Sequence, residues 1–293
     1  MSIDELARLD AAIPDFDWSR LPEGVSRTSF SVPSGELAAI AAGQPGSPRV
    51  VLVPGVTGSK EDFSLMLPLL AAAGCRAESV ELAGQYESAA AGPEHLVPPR
   101  HRYDHELFVD DLIAVAEAGT TPVHVLGYSF AGTVAQLACL ARPELFASLT
   151  LLSCPPGAGQ VFRSVKRIGR LSPWLSGRAG AALLIWGIRR NFTKVPPGRH
   201  RFVLDRFRLT RRSSVRDIIG LMKRTPDTRA GIRALSIPKL VAVGEHDLWP
   251  TALHAEFAEQ LGARFVAYPT GHSPCETTPH QLVAELLELY ASR

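Results

Sequence analysis

The chain has 293 residues, 46% apolar and 20% charged, with 31 Lys and Arg against 29 Asp and Glu. That length and balance fit a globular α/β domain with a sizeable core and one insertion. Four scattered cysteines (Cys75, Cys139, Cys154, Cys275) form no C-x-x-C pair, which argues against metal and redox motifs and for free thiols in a reducing cytoplasm.

The N-terminus, "MSIDELARLD", is acidic and has no basic start followed by an apolar run, so it does not read as a secretory signal. Ser2 and Glu5 have capping-box spacing for a short helix. "SRTSFSVPSGELAAIAAG" (26–43) predicts two antiparallel edge strands joined near "PSG". "RVVLV" (49–53) is a short apolar run without polar alternation, as expected of a strand covered on both faces. The same holds for "AESVEL" (77–82), "PVHVLG" (122–127), "SLTLLS" (148–153), "KLVAVG" (239–244) and "ARFVAY" (263–268). Helical patterns at 61–74, 104–119 and 130–142 lie between them, and this alternation argues for a parallel sheet with helices on both faces. In the last helix Thr278 is the expected cap, Pro279 suits the first turn and Gln281 completes the box.

Residues 155–234 break the alternation. They hold 19 Lys and Arg against 3 Asp and Glu, and no carboxylate occurs from Leu145 to Leu204. The rest of the chain holds 12 basic and 26 acidic residues, so an acidic body carries a basic insert. The division expected is 1–154 and 235–293 for the core, with 155–234 as a helical cap over the C-terminal ends of the strands, where open parallel sheets place their ligands. The longest apolar run, "AGAALLIWGI" (179–188), is too short to span a bilayer.

The chemistry is read from four segments. "HVLGYSFAGTVAQ" (124–136) runs from a β-branched strand into a small-residue helix, approximating the G-x-S-x-G elbow that exposes a serine nucleophile. Gly127 and Ser129 fit; Ala131 replaces the last glycine and Gly132 follows one place late. Taken alone, the segment is also consistent with close helix–strand packing. "VLVPGVTGS" (51–59) turns at Gly55 and Gly58, and the N–H groups of Val56 and Phe130 are the candidate oxyanion donors. "VAVGEHDLWP" (241–250) puts Asp247 just past a strand end, with Glu245, the alternative acid, and His246 as the other candidates in the loop. "YPTGHSPCETTP" (268–279) puts His272 in the loop after the last strand, the candidate base.

With "VLVPGVTGS", "LGYSFAG", "GEHDLWP" and "GHSP" in this order, the chain resembles the α/β-hydrolase superfamily, in its serine branch with a helical cap between strands six and seven. The resemblance covers about 45–153 and 235–291; the cap matches only by position and helical character. It implies a mostly parallel central sheet with helices on both faces, Ser129 as nucleophile, His272 as base, Asp247 as its partner, and an acyl-enzyme route to ester or thioester hydrolysis without metal or organic cofactor. Pro54 departs from the histidine many members carry there, and Ala131 is the second departure. Acyl transfer, perhydrolysis or carbon–carbon hydrolysis on the same residues, and a low-turnover binding protein, are the alternatives.

Tyr128, Trp174, Trp186 and Trp249 are the candidate substrate contacts, although most cap aromatics are expected to form a small helical core. The arginines of "SVKRIGR", "IRRNF" and "RFRLTRR" suit an anionic acyl substrate, an anionic membrane surface or simple complementarity to the acidic body; no recognition motif points to nucleic acid.

Overall fold

The computed structural model describes residues 1–165 and 195–292. Eight strands form one sheet: β1 (Ser26–Val32), β2 (Gly35–Ala42), β3 (Arg49–Val53), β4 (Arg76–Val80), β5 (Val123–Tyr128), β6 (Phe146–Leu152), β7 (Lys239–Gly244) and β8 (Arg264–Tyr268). Their spatial order is β1-β2-β4-β3-β5-β6-β7-β8. The strands from β4 to β8 in that order pair in parallel, while β1–β2 and β2–β4 are antiparallel. Of the two N-terminal strands expected at an edge, only β1 lies there, because β2 pairs with β4 on its other side.

The missing polar alternation has a direct cause. Val51, Val53, Val125, Leu149, Leu151, Val241 and Val243 enter the core on one face of the sheet. Their neighbours Val50, Leu52, Leu126, Leu152, Leu240 and Ala242 enter the core on the other. Successive side chains of a strand point to opposite faces, so strands buried on both sides are apolar throughout. The helices α3 (His105–Glu117) and α4 (Phe130–Ala141) pack on the first face; α2 (Met66–Ala72) packs on the second. The helix expected over 61–74 is split, since Lys60–Phe63 forms a separate 3-10 turn before α2.

At the N-terminus α1 (Ile3–Ala11) has the capping box expected of Ser2 and Glu5. It packs on the last helix, which follows the insertion's α5 (Pro197–Leu209), α6 (Arg212–Met222) and α7 (Arg229–Ala234), then α8 (Thr251–Leu261) and the short α9 (Pro274–Thr277), as α10 (Pro279–Ala291). Here the expected cap is corrected. The Thr278 hydroxyl donates backwards to the Pro274 carbonyl at 3.1 Å. Asp10 of α1 instead accepts from the N–H groups of His280 at 2.8 Å and Gln281 at 3.2 Å. A carboxylate from another helix thus satisfies donors that α10 leaves orphaned.

Between β6 and β7 the chain leaves the sheet and returns. Gly159 and Thr225 exchange backbone hydrogen bonds of 2.8 and 3.1 Å, joining the two ends of this excursion. The four cysteines are buried and unpaired. Among the described residues no helix is long and apolar enough to cross a membrane.

Candidate active site

Ser129 stands between β5 and α4 with φ 54° and ψ −121°, in a region that L-residues rarely occupy. The surrounding small residues permit it. A Cβ on Gly127 would lie 2.4 Å from the Ala131 carbonyl oxygen, and one on Gly132 would lie 2.6 Å from Cys154 Sγ. Glycine is therefore demanded at 127 and at 132, whereas position 131 accepts a methyl group that is fully buried. The Ser129 N–H donates to the Leu152 carbonyl at 2.8 Å, which ties the turn to β6.

Two loops at the same end of the sheet bring the other groups. Asp247 follows β7, and His272 follows β8. His272 Nε2 lies 3.3 Å from Ser129 Oγ, and its Nδ1 makes a short contact with Asp247 Oδ1. The same Oδ1 accepts the Leu248 N–H at 2.5 Å. Burial pushes the Asp247 pKa up, but the His272 charge and the contacts of His254 and His272 outweigh it and hold the value down at about 2. Glu245, the alternative acid, is exposed.

His254 is a group that motif reading missed. It lies on α8, is 0% exposed, and places Nε2 3.1 Å from Asp247 Oδ2. Neither atom makes an aligned hydrogen bond, so the contact is electrostatic and off-axis. No sequence signal marks it, since Asp247 lies in the loop before α8 begins at Thr251 and helical spacing does not relate the two.

Gly55 brings the β3 loop against the serine: a Cβ there would fall 2.8 Å from Ser129 Cβ and 3.1 Å from the Tyr128 carbonyl oxygen. Further along this loop Thr57 has φ 62°, and its N–H is taken by Gln85 Oε1 at 2.9 Å. Gln85 Nε2 in turn donates to Ser214 Oγ of α6 at 2.6 Å. The N–H groups of Val56 and Phe130 have no acceptor among the described residues. Phe130 opens α4, where such N–H groups are orphaned by helix geometry.

The sequence model of the Alpha/beta hydrolase family matches residues 50–286. The chain belongs to the alpha/beta hydrolase family. Solved structures of several relatives share its fold. A hydrolase from Pseudomonas aeruginosa PA01 aligns with TM-score 0.71 and 19% identity over 92% of this chain and 99% of that one. The enol-lactonase from Burkholderia xenovorans LB400 gives 0.68 and 17% over 90% and 100%. The thioesterase domain from the curacin biosynthetic pathway gives 0.65 and 15% over 90% and 99%. A comparison with curated proteins finds no match.

In this alpha/beta hydrolase the expected substrate contacts divide. Tyr128 and Trp249 are buried and flank the His272 ring, with centroids 5.3 and 6.0 Å away. Their polar atoms are engaged: the Tyr128 hydroxyl meets Ser273 Oγ at 2.9 Å, and the Trp249 N–H donates to the Val161 carbonyl at 2.8 Å. Trp174 and Trp186 lie outside the described residues, as do all four arginines of "SVKRIGR" and "IRRNF". In "RFRLTRR", Arg206 is buried against Asp62, Arg211 pairs with Glu94 and Arg208 with Asp205. Three of these guanidinium groups are therefore matched by carboxylates.

Proposed function

We propose that the chain is a serine hydrolase that cleaves a carboxylic ester or thioester of a small acyl substrate. The observation that carries this reading is Ser129 on a positive-φ strand-to-helix turn, 3.3 Å from a histidine whose other ring nitrogen contacts a buried carboxylate. A serine hydroxyl needs a base in reach and a group that orients that base. In the reaction His272 Nε2 takes the Ser129 proton as Oγ adds to the acyl carbon. The developing oxyanion receives the N–H groups of Val56 and Phe130. The leaving alcohol or thiol takes the proton from His272 as the bond to the acyl carbon breaks. Water then adds to the acyl-enzyme by the same proton route, and Asp247 stabilises the imidazolium in each half.

The segment 155–234 acts as the cap of this site. Its Arg206 reaches Ser59 Oγ at 3.2 Å and its Ser214 reaches Gln85, so it rests on the loop that carries Val56. The names of the enol-lactonase and the thioesterase domain fit substrates with an ester-type carbonyl.

Intact mass after exposure to a fluorophosphonate tests the reading. One adduct is expected on the native protein and none on Ser129→Ala, with ester or thioester hydrolysis falling at least about 10³-fold in the variant. A folded native protein that takes no adduct and hydrolyses neither class overturns it.

A further inference from the structure

Away from Ser129, between the loop before α3 and one face of α6, lies a cavity of about 360 Å³. That volume is within the range of small-molecule sites, roughly 300–1,000 Å³. Its walls carry three guanidinium groups, Arg102, Arg216 and Arg224, against one carboxylate, Asp217. Asp217 is already matched, accepting from Arg216 Nε at 2.9 Å and from the Tyr103 N–H at 3.3 Å. Arg102 and Arg224 form no ion pair among the described residues. Two positive charges thus face the cavity without a carboxylate to balance them.

The helix face is spaced for a ligand. Arg216 and Gly220 are four residues apart on α6 and share one side of it, and Arg224 stands in the turn just past its C-terminal end. A Cβ on Gly220 would meet nothing within 4 Å. Packing does not demand that glycine, and the space above it is the cavity. Arg102 stands on the opposite wall. Three arginines lining one open cavity, two of them exposed, suit a tetrahedral dianion, which guanidinium groups bind through paired N–H donors.

A relay of aromatic contacts joins this cavity to the proposed catalytic elbow. Tyr103 stacks on Phe108 at 5.9 Å, and Phe108 meets Phe130 edge-on at 5.4 Å, next to Ser129. We propose that this cavity binds a phosphate monoester dianion through Arg102, Arg216 and Arg224. This deepens the hydrolase reading where the phosphate is carried by the acyl substrate, and stands without it where the phosphate is a separate compound.

Calorimetric titration with phenyl phosphate tests the site. Saturable binding is expected, weakening at least ~10-fold in the double variant Arg102→Ala/Arg224→Ala and weakening with added salt. Arg208→Ala, which removes an exposed arginine paired elsewhere, should leave it unchanged. Absence of saturable binding to the native protein, or equal binding by the double variant, overturns the proposal. Kinetics then identify the source. A raised KM for a coenzyme A thioester but not for a p-nitrophenyl ester places the phosphate on the substrate. Unchanged KM for both, with phenyl phosphate binding lost, makes it a separate anion site. The titration needs no turnover, so its failure is distinct from failure of the Ser129 assignment.

Discussion

Asp247 has a histidine at each oxygen, His272 at Oδ1 and the buried His254 at Oδ2. The second contact draws charge from the carboxylate and so weakens its hold on His272. Removing it should strengthen that hold and stabilise the imidazolium. His254→Met is therefore expected to move the acid limb of the kcat/KM profile to higher pH, by about half a unit to one unit, while His254→Gln, which keeps an N–H donor, restores the native limb. A histidine that only fills space would lower kcat in both variants without moving the limb. Ser129, Asp247 and His272 were legible because each sits in a short loop after a strand, in a recurring order. His254 was not, since a histidine on a helix has no motif and acquires its partner only when α8 packs beside the β7 loop.

At the scale of elements, α10 shows how a local signal is overridden. Thr278, Pro279 and Gln281 form a sound start signal, yet the donors of the first turn go to Asp10, 270 residues away from His280 in the chain. Gln281 Nε2 also donates to Asp10 Oδ2, at 2.9 Å. Asp10→Ala should therefore lower unfolding stability by about 1–2 kcal/mol, the range for a lost cap. Thr278→Val should cost less, because its hydroxyl serves only the Pro274 carbonyl. Denaturant midpoints of the two variants check the order, and a larger loss from Thr278→Val would return the cap to that residue. The strands, by contrast, were legible nearly to the residue. Their apolar runs end where the sheet ends, so burial on both faces writes their limits into composition.

Across the whole molecule, a buried ion cluster holds the insertion to the two loops of the candidate site. Arg199 of α5 is 3% exposed and donates to Asp62 at 2.7 Å and, through Nε, to Glu276 at 2.9 Å. Arg206 of the same helix also contacts Asp62. Asp62 lies beyond the Val56 loop, and Glu276 lies four residues after His272. Burial raises the Glu276 pKa against the pull of Arg199, whereas Arg206 and Arg199 overcome burial at Asp62 and lower its value. Arg199→Met strands Glu276 as a buried carboxylate and is expected to destabilise the protein by about 3–5 kcal/mol near pH 8. A carboxyl whose folded pKa is raised favours the folded state at low pH and loses that contribution as pH rises through the folded value. The deficit should therefore shrink as the pH is lowered from 8 to 5. Unfolding curves at the two pH values check this, and an equal deficit at both would remove Glu276 as the cause.

The sequence by itself determined the parallel sheet, the positive-φ serine turn and the loops that carry Asp247 and His272. These depend on burial on both faces and on glycines at close approaches, and both are written into neighbouring residues. Only the tertiary structure decided that Asp10 caps α10, that His254 meets Asp247, that Gln85 takes the Thr57 N–H, and that Arg199 and Arg206 are buried with Asp62 while Arg102 and Arg224 stay unpaired. Each of these is a contact between polar groups far apart in the chain. Such groups read alike in sequence, and only the packing of their elements fixes which of them meet.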